Sequence, residues 1–375
     1  MVTAPPAHVA RRAVFWANGG AFLGFYLLLA AGPAVAAERG GAGAAGVVTA
    51  VLMGVTVLTQ LAVPAALRRW PATGVLAVGL VLLGAPALAF AAEPGYPEIV
   101  AITAVRGVGF GLITVVGSLM VARLAADGTQ GRAVGLYGLV SSGSGAFAPA
   151  IGLALIDRWP LPAAIVMAAP PLVATVMIPR LGGIRLGDSA TSSWRGAGVD
   201  PVPVLVFLAA AAAFGGVYSY VPLLASDGTG RWLLTIFGVG FGVGRLLVGR
   251  LVDRGNAAGR ILIVSVALTS AGMALLGASG HTWSMALGAA AGALGVGAIC
   301  TTTLVMLIAG SGPDGKAHAA TAWNVAYDAG SGAGGLLLGL LAAQVGVADG
   351  FVLLAVALIV VGMPPAVRAW RTGSR

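Results

Sequence analysis

Asp328 is the residue whose position most constrains what this chain can do. The chain carries 12 Asp and Glu residues, and eleven of them lie between long apolar stretches or close to an end of one. Asp328 alone lies deep, ten residues past His318 in the stretch over residues 318–345. At about 1.5 Å of helical rise per residue, its carboxyl is about 15 Å from the helix start. In hydrocarbon an ionised group at that depth costs at least about 2.5–3.5 kcal/mol. Two readings follow. The acid takes up and releases a proton, or balances a cation. Otherwise it is a hydrogen-bonded structural group, with Arg106 as a candidate partner. Asn324, Asp328 and Ser331 recur at i, i+4 and i+7, which sets them on one stripe of a helix.

Arg106 is the complementary charge, eight residues past Glu98 inside another apolar stretch. Either it faces a cavity and couples to proton movement, or it ties helices together through backbone carbonyls. Asn18 and Tyr26 in the first stretch and Tyr218 in the seventh are candidate lining groups. Single polar side chains of this kind also hold helices to one another in lipid. Enzymatic patterns are weak. His8, His281 and His318 lie at separate stretch ends without metal-ligand spacing, Cys300 is the single cysteine, and the one lysine, Lys316, lies in no phosphate-binding loop. No metal, cofactor or catalytic group is expected, and nothing on this chain could drive a pump with ATP. Gradient coupling remains, and a titratable acid at mid-span suits protons better than sodium.

Composition defines the elements that must position these groups. Of 375 residues, 58% are hydrophobic and 9% charged, whereas a soluble domain has about 25% charged residues. Lipid is therefore the solvent for most of the chain. The net charge is +9, but the bases occur in ones and twos between apolar runs and form no patch interleaved with aromatics. They read as topology determinants and not as a nucleic-acid surface. All but one of the 21 bases are arginine, and alanine and glycine dominate, which points to a GC-rich bacterial genome.

The apolar stretches cover residues 13–36, 44–67, 73–92, 97–122, 133–156, 162–179, 201–225, 232–252, 260–279, 283–310, 318–345 and 349–367. Each is near the ~20 residues needed to cross about 30 Å of hydrocarbon, which makes twelve spans. Sixteen loop bases fall on the side of the termini and three, Arg39, Arg158 and Arg231, on the other. That asymmetry places both termini in the cytoplasm of a multi-pass protein of the bacterial cytoplasmic (inner) membrane. The longest polar run, residues 181–200, divides residues 1–180 from residues 201–375 as a cytoplasmic linker. Gly143-Ser144-Gly145-Ala146 recurs as Gly330-Ser331-Gly332-Ala333, an offset of 330 − 143 = 187. The same offset carries Tyr137, Ser141 and Ser144 onto Asn324, Asp328 and Ser331. The expected fold is an all-α polytopic membrane protein, with 12 transmembrane helices in two pseudo-symmetric six-helix bundles and a site at their midplane.

Gly249-Arg250-Leu251-Val252-Asp253-Arg254, between spans eight and nine, resembles the loop motif of the major facilitator superfamily in its second-half copy. The motif's distal glycine and base are displaced to Gly259 and Arg260. The first-half copy falls at residues 64–69 and lacks the acid. Arg106 resembles the family's buried span-four arginine. Ser144-x-x-x-Ala148-Pro149-x-x-Gly152 is similar to the span-five motif of the family's antiporters, of which it keeps the proline and one glycine. The resemblance covers nearly the whole chain. It implies the MFS fold, alternating access, and a gating role for Gly249, Arg250, Asp253 and Arg254 at a cytoplasmic helix end. Gly145 and Gly152 allow close helix approach and Pro149 permits a bend, either for moving helices or for static packing. Because residues 64–69 lack an acid, Asp253→Asn is expected to impair turnover, whereas changes at Ala65 or Ala66 should matter little.

The expected function is a proton-coupled secondary transporter exporting small amphipathic or apolar molecules, such as drugs or natural products. One deep acid among Gly, Ala and aromatic lining suits such compounds better than sugars. A proton-coupled metabolite importer is the alternative, and a transport-dead scaffold or sensor is the second. The expected partners are a small-molecule substrate, protons and the lipid bilayer, with no nucleic acid and a monomeric chain.

Overall fold

Runs of Ala, Val, Leu and Gly without charges form helices here because hydrocarbon offers no partner for an unpaired backbone group. The structure, a computed structural model, describes residues 6–125, 130–186, 199–225, 228–253, 258–278, 280–311 and 315–373. Its helices are α1 (Ala7–Gly40), α2 (Ala42–Arg69), α3 (Ala72–Gly84), α4 (Tyr96–Leu124), α5 (Gln130–Ile156) and α6 (Pro160–Ala174), followed by α7 (Pro201–Leu224), α8 (Thr229–Asp253), α9 (Ala258–Ala278), α10 (Thr282–Gly310), α11 (Lys316–Val345) and α12 (Val347–Gly373). Two 3₁₀ segments, Ala85–Ala92 and Thr175–Leu181, continue α3 and α6. Among the described residues there are twelve helices, or helix plus 3₁₀ segment, long and apolar enough to span a membrane, and no strand.

Contacts divide the chain into two units, one of Met1–Gly32 with Val51–Ser192 and the other of Pro33–Ala50 with Ser193–Arg375. Within the first, α4 packs along α3 and α5, and α6 lies against the 3₁₀ continuation of α3. Within the second, α9 packs on α10 and α12, α8 on α10, and α7 on α11 and α12. Small residues make these seams. A Cβ on Gly272 of α9 would overlap the backbone of Gly292 on α10, so the two backbones touch. In lipid such van der Waals contact, and not apolar burial, drives helix association.

Burial repeats with the sequence offset. The apolar windows of α1 and α7, which open the two halves, are 78% and 83% buried, whereas those of α6 and α12, which close them, are 33% and 39% buried. The shielded helices occupy the same place in each repeat. Large apolar groups face outward where water could not tolerate them: Trp232, Val264, Leu287 and Val360 are all well exposed, and Trp283 is 85% exposed. Exposed apolar side chains on α8, α9, α10 and α12 suit contact with lipid.

Candidate functional site

Arg106 is held by two backbone carbonyls, one of them where α3 gives way to its 3₁₀ continuation. Proline at position 86 has no N–H, so in the 3₁₀ run after α3 the carbonyl of Leu83 lacks its i+3 donor. Arg106 Nη1 donates to that oxygen at 2.8 Å, and Nη2 donates to the Gly24 carbonyl of α1 at 3.1 Å. The side chain is 3% exposed. Among the described residues no carboxylate meets it, and its contacts are those of a tie joining α1, α3 and α4.

The other first-half residues surround the same helices. Asn18, fully buried on α1, donates from Nδ2 to the Val14 carbonyl at 2.7 Å. Its Oδ1 has no hydrogen-bond partner and rests against Gly117 of α4, where any Cβ would collide with it. Tyr26 is buried and its ring lies over Gly145 of α5, where a Cβ would come within 3.0 Å. Seven residues along, a Cβ on Gly152 would fall on the Leu27 carbonyl of α1. Gly145 and Gly152 thus form the α1–α5 seam, with Pro149 buried between them. Tyr137 donates to the Thr114 carbonyl at 3.4 Å and packs edge-on to Phe22 at 5.6 Å. Gln60 of α2 donates to the Thr114 hydroxyl at 3.1 Å. Ser141 is half-buried on α5.

In the second unit, Asp328 lies on α11 with 3% exposure. Leu337, nine residues on and so half a turn round the helix, is exposed. Asn324 donates to the Ala320 carbonyl at 2.9 Å and Ser331 to the Tyr327 carbonyl at 2.7 Å, so both turn a donor onto their own helix one turn back. Aromatic rings pack beside this stripe. Phe207 of α7 stacks with Trp323 at 4.7 Å and with Tyr327 at 5.6 Å. Tyr218, fully buried, packs on Phe214 at 4.5 Å and on Phe237 of α8 at 5.7 Å. Sequence reasoning named Tyr218 but missed its neighbours. Their signal was the i, i+4 pairs Trp323 with Tyr327 and Phe237 with Phe241.

The hairpin tip of α1 and α2 belongs to this second unit. Gly41, at φ +82°, makes the whole connection between the two helices, a conformation that favours glycine. Tyr220 of α7 inserts its hydroxyl into the first turn of α2, accepting from Gly46 N at 2.9 Å and donating to the Ala42 carbonyl at 3.1 Å. Those two groups are the ends of one i→i−4 step. Beside it the hydroxyls of Thr49 and Ser219 are 2.6 Å apart. A Cβ on Gly46 would collide with the Gly335 carbonyl of α11.

At the far end of α8, Gly249 is half-buried and nothing lies within 4 Å of an added Cβ, while Arg250 is exposed. Arg254 and the side chain of Asp253 lie outside the described residues. One turn above, the Arg245 guanidinium lies 5.7 Å from the Phe241 ring centroid. Among the described residues there is no group of three or more His, Cys, Asp or Glu that could hold a metal ion.

A family profile described as Major Facilitator Superfamily matches residues 14–230. No curated protein matches the chain. Among solved structures, the chain is similar to a POT family transporter in complex with a thioalcohol-conjugated peptide, at 12% identity and TM-score 0.77, covering 97% of this chain and 96% of that one. The same values hold for a POT family transporter in complex with 5-aminolevulinic acid. A bacterial homolog of the human lysosomal transporter Spinster, inward-facing and unoccupied, matches at 14% identity and TM-score 0.70, covering 98% and 97% of the two chains. At such identities the likeness is one of fold.

Proposed function

The chain belongs to the Major Facilitator Superfamily, and we propose that it is a proton-coupled secondary transporter exporting small amphipathic or apolar molecules by alternating access. The observation that carries this reading is Asp328, the only buried carboxylate among the described residues. Protonated from outside the cell, the side chain is neutral and stable at mid-span. Deprotonated towards the cytoplasm, it becomes an anion that favours a cationic or polarised solute on the outward half of the cycle. Asn324 and Ser331 lie on the same stripe, and Tyr218 belongs to the buried aromatic cluster in the same unit. Tyr137, Ser141, Asn18 and Tyr26 are the corresponding groups of the first half.

The protein works as a monomer in the bacterial cytoplasmic membrane with both termini inside, as the sixteen-to-three distribution of loop bases supports. Two halves, residues 1–180 and 201–375, move about the linker at residues 181–200. Gly249, Arg250, Asp253 and Arg254 hold the cytoplasmic end while the cavity faces outward. The open space beside Gly249 suits a segment that changes neighbours, where the tight contact at Gly152 suits one that does not.

The test is proton-driven efflux in inverted membrane vesicles. Asp328→Asn should abolish it while the protein reaches the membrane in normal amount. Undiminished efflux from that variant would sink the reading. Substrate accumulation in whole cells, faster with an inward proton gradient, would reverse the assigned direction and make the chain an importer.

A further inference from the structure

The C-terminal half of α12 carries an open groove on the side opposite its buried face. The groove measures about 600 Å³ and is lined by Ile359, Met363, Pro364, Val367, Arg368 and Arg371. At about 100° per residue these six fall on one half of the helix, whereas Leu358, Gly362, Ala366 and Ala369, all buried, fall on the other. The groove is amphipathic along its length. Residues 359–367 carry no charge and cover about 12 Å of helix, close to half of the ~30 Å hydrocarbon core. Arg368 and Arg371, both exposed, close it at the end where α12 leaves the apolar zone.

The neighbouring helix sets the depth of that end. A Cβ on Gly259, in the first turn of α9, would overlap the backbone of Trp370, so α9 begins where α12 ends. Trp370 is itself exposed, and so is Arg260, the next residue of α9. A tryptophan and three arginines within about a turn of one level mark the headgroup zone of a bilayer.

We propose that this groove binds one phospholipid with an anionic headgroup, its phosphate on Arg368 and Arg371 and an acyl chain along Ile359, Met363, Pro364 and Val367. A guanidinium has five donors in a planar fork, so it pairs with phosphate oxygens while keeping its other contacts. Arg260 adds positive charge at the same end. A free phosphate would use the arginines and leave the apolar floor uncovered, and a neutral lipid would do the reverse. Only an anionic lipid satisfies both parts. The inference is independent of the transport reading, since it needs only that the chain spans a membrane.

Native mass spectrometry of the purified, delipidated full chain in detergent tests it. The probes are phosphatidylglycerol, phosphatidylcholine with the same acyl chains, and glycerol 3-phosphate. The first phosphatidylglycerol should bind about ten-fold more tightly than phosphatidylcholine, and glycerol 3-phosphate at the same concentration should not displace it. Arg368→Gln combined with Arg371→Gln should bring the two lipids within about two-fold of each other. Arg368→Lys combined with Arg371→Lys should keep most of the preference, because an ammonium still attracts phosphate as a point charge. Arg68→Gln combined with Arg69→Gln, the same loss of charge at the end of α2, should leave the preference unchanged. Equal wild-type affinity for the two lipids overturns the proposal without any variant having to fold. Displacement by glycerol 3-phosphate overturns it as well, because the apolar floor then contributes nothing. An equal loss of preference in the α2 variant also overturns it, because net charge and not this groove would then select the lipid.

Discussion

Among the described residues the two halves each bury one charge, and they bury it on different helices and in different company. At the 187-residue offset, Arg106 of α4 corresponds to Ala293 of α10, and Asp328 of α11 corresponds to Ser141 of α5. The arginine donates to two backbone carbonyls, those of Leu83 and Gly24, which are contacts of the kind a structural tie makes. The acid lies on a stripe whose neighbours, Asn324 and Ser331, turn their donors to their own backbone. A permanently charged group suits a permanent contact, since a guanidinium does not lose its proton at working pH. A carboxyl can alternate between charged and neutral, which suits a step in a cycle. Repeat architecture thus leaves room for one half to brace and the other to titrate.

Substitutions can break or sharpen that contrast, beginning with the largest effect. Asp328→Asn should reduce proton-driven efflux to background with the thermal stability of the purified protein little changed. Arg106→Met should act the other way round, lowering stability by about 1–3 kcal/mol because the Leu83 carbonyl is left buried without a donor. Thermal aggregation followed by fluorescence-detected gel filtration would read it, with Arg106→Lys recovering part of the loss. If Arg106→Met abolished transport in a protein of unchanged stability, the brace-and-titrate division would be wrong.

The repeats also differ at matched glycines. A Cβ on Gly152 meets the backbone oxygen of Leu27, whereas one on Gly339 meets the tip of the Tyr220 side chain. Gly152→Ala should therefore destabilise more than Gly339→Ala, by about 1–2 kcal/mol, since backbone yields less readily than a tyrosine hydroxyl. Tyr220→Phe should cost about 1 kcal/mol through loss of its two hydrogen bonds, and ease separation of the α1–α2 tip from α7, measurable as faster labelling of a cysteine placed at the exposed Glu38. Gly249→Ala, with open space around it, should change stability by less than about 0.5 kcal/mol. A large loss there would refute the view that an added Cβ at Gly249 meets open space among the described residues.

Much of the fold was legible without coordinates. Every predicted span overlaps an observed one, and the boundaries agree to within a few residues except at α1 and α12, whose helices continue past the apolar core through Arg11, Arg12 and Arg39 at one end of the chain and Arg368 and Arg371 at the other. Charges there end the apolar signal without ending the helix, because a helix needs no change of backbone on leaving lipid. Depth was legible too, because Asp328 and Arg106 could be placed by counting residues along a helix of known rise. The partners were not. Nothing in a count shows that Arg106 meets Leu83 and Gly24, since both acceptors are backbone atoms and every residue carries one. Nor could it show Tyr220 bridging Ala42 and Gly46, because that contact brings together residues 178 and 174 positions apart in sequence.

The amino-acid sequence by itself determined the solvent of this protein, the number of its spans and the one acid set deep among them. Those follow from local composition, because hydrocarbon imposes one backbone solution and penalises every charge according to depth. Which carbonyls hold the arginine, which glycines let backbones touch, and which rings stack against one another were decided by tertiary structure alone. These depend on the rotation of each helix about its axis and its neighbours in the bundle, and hydrophobic runs this uniform carry almost no record of either.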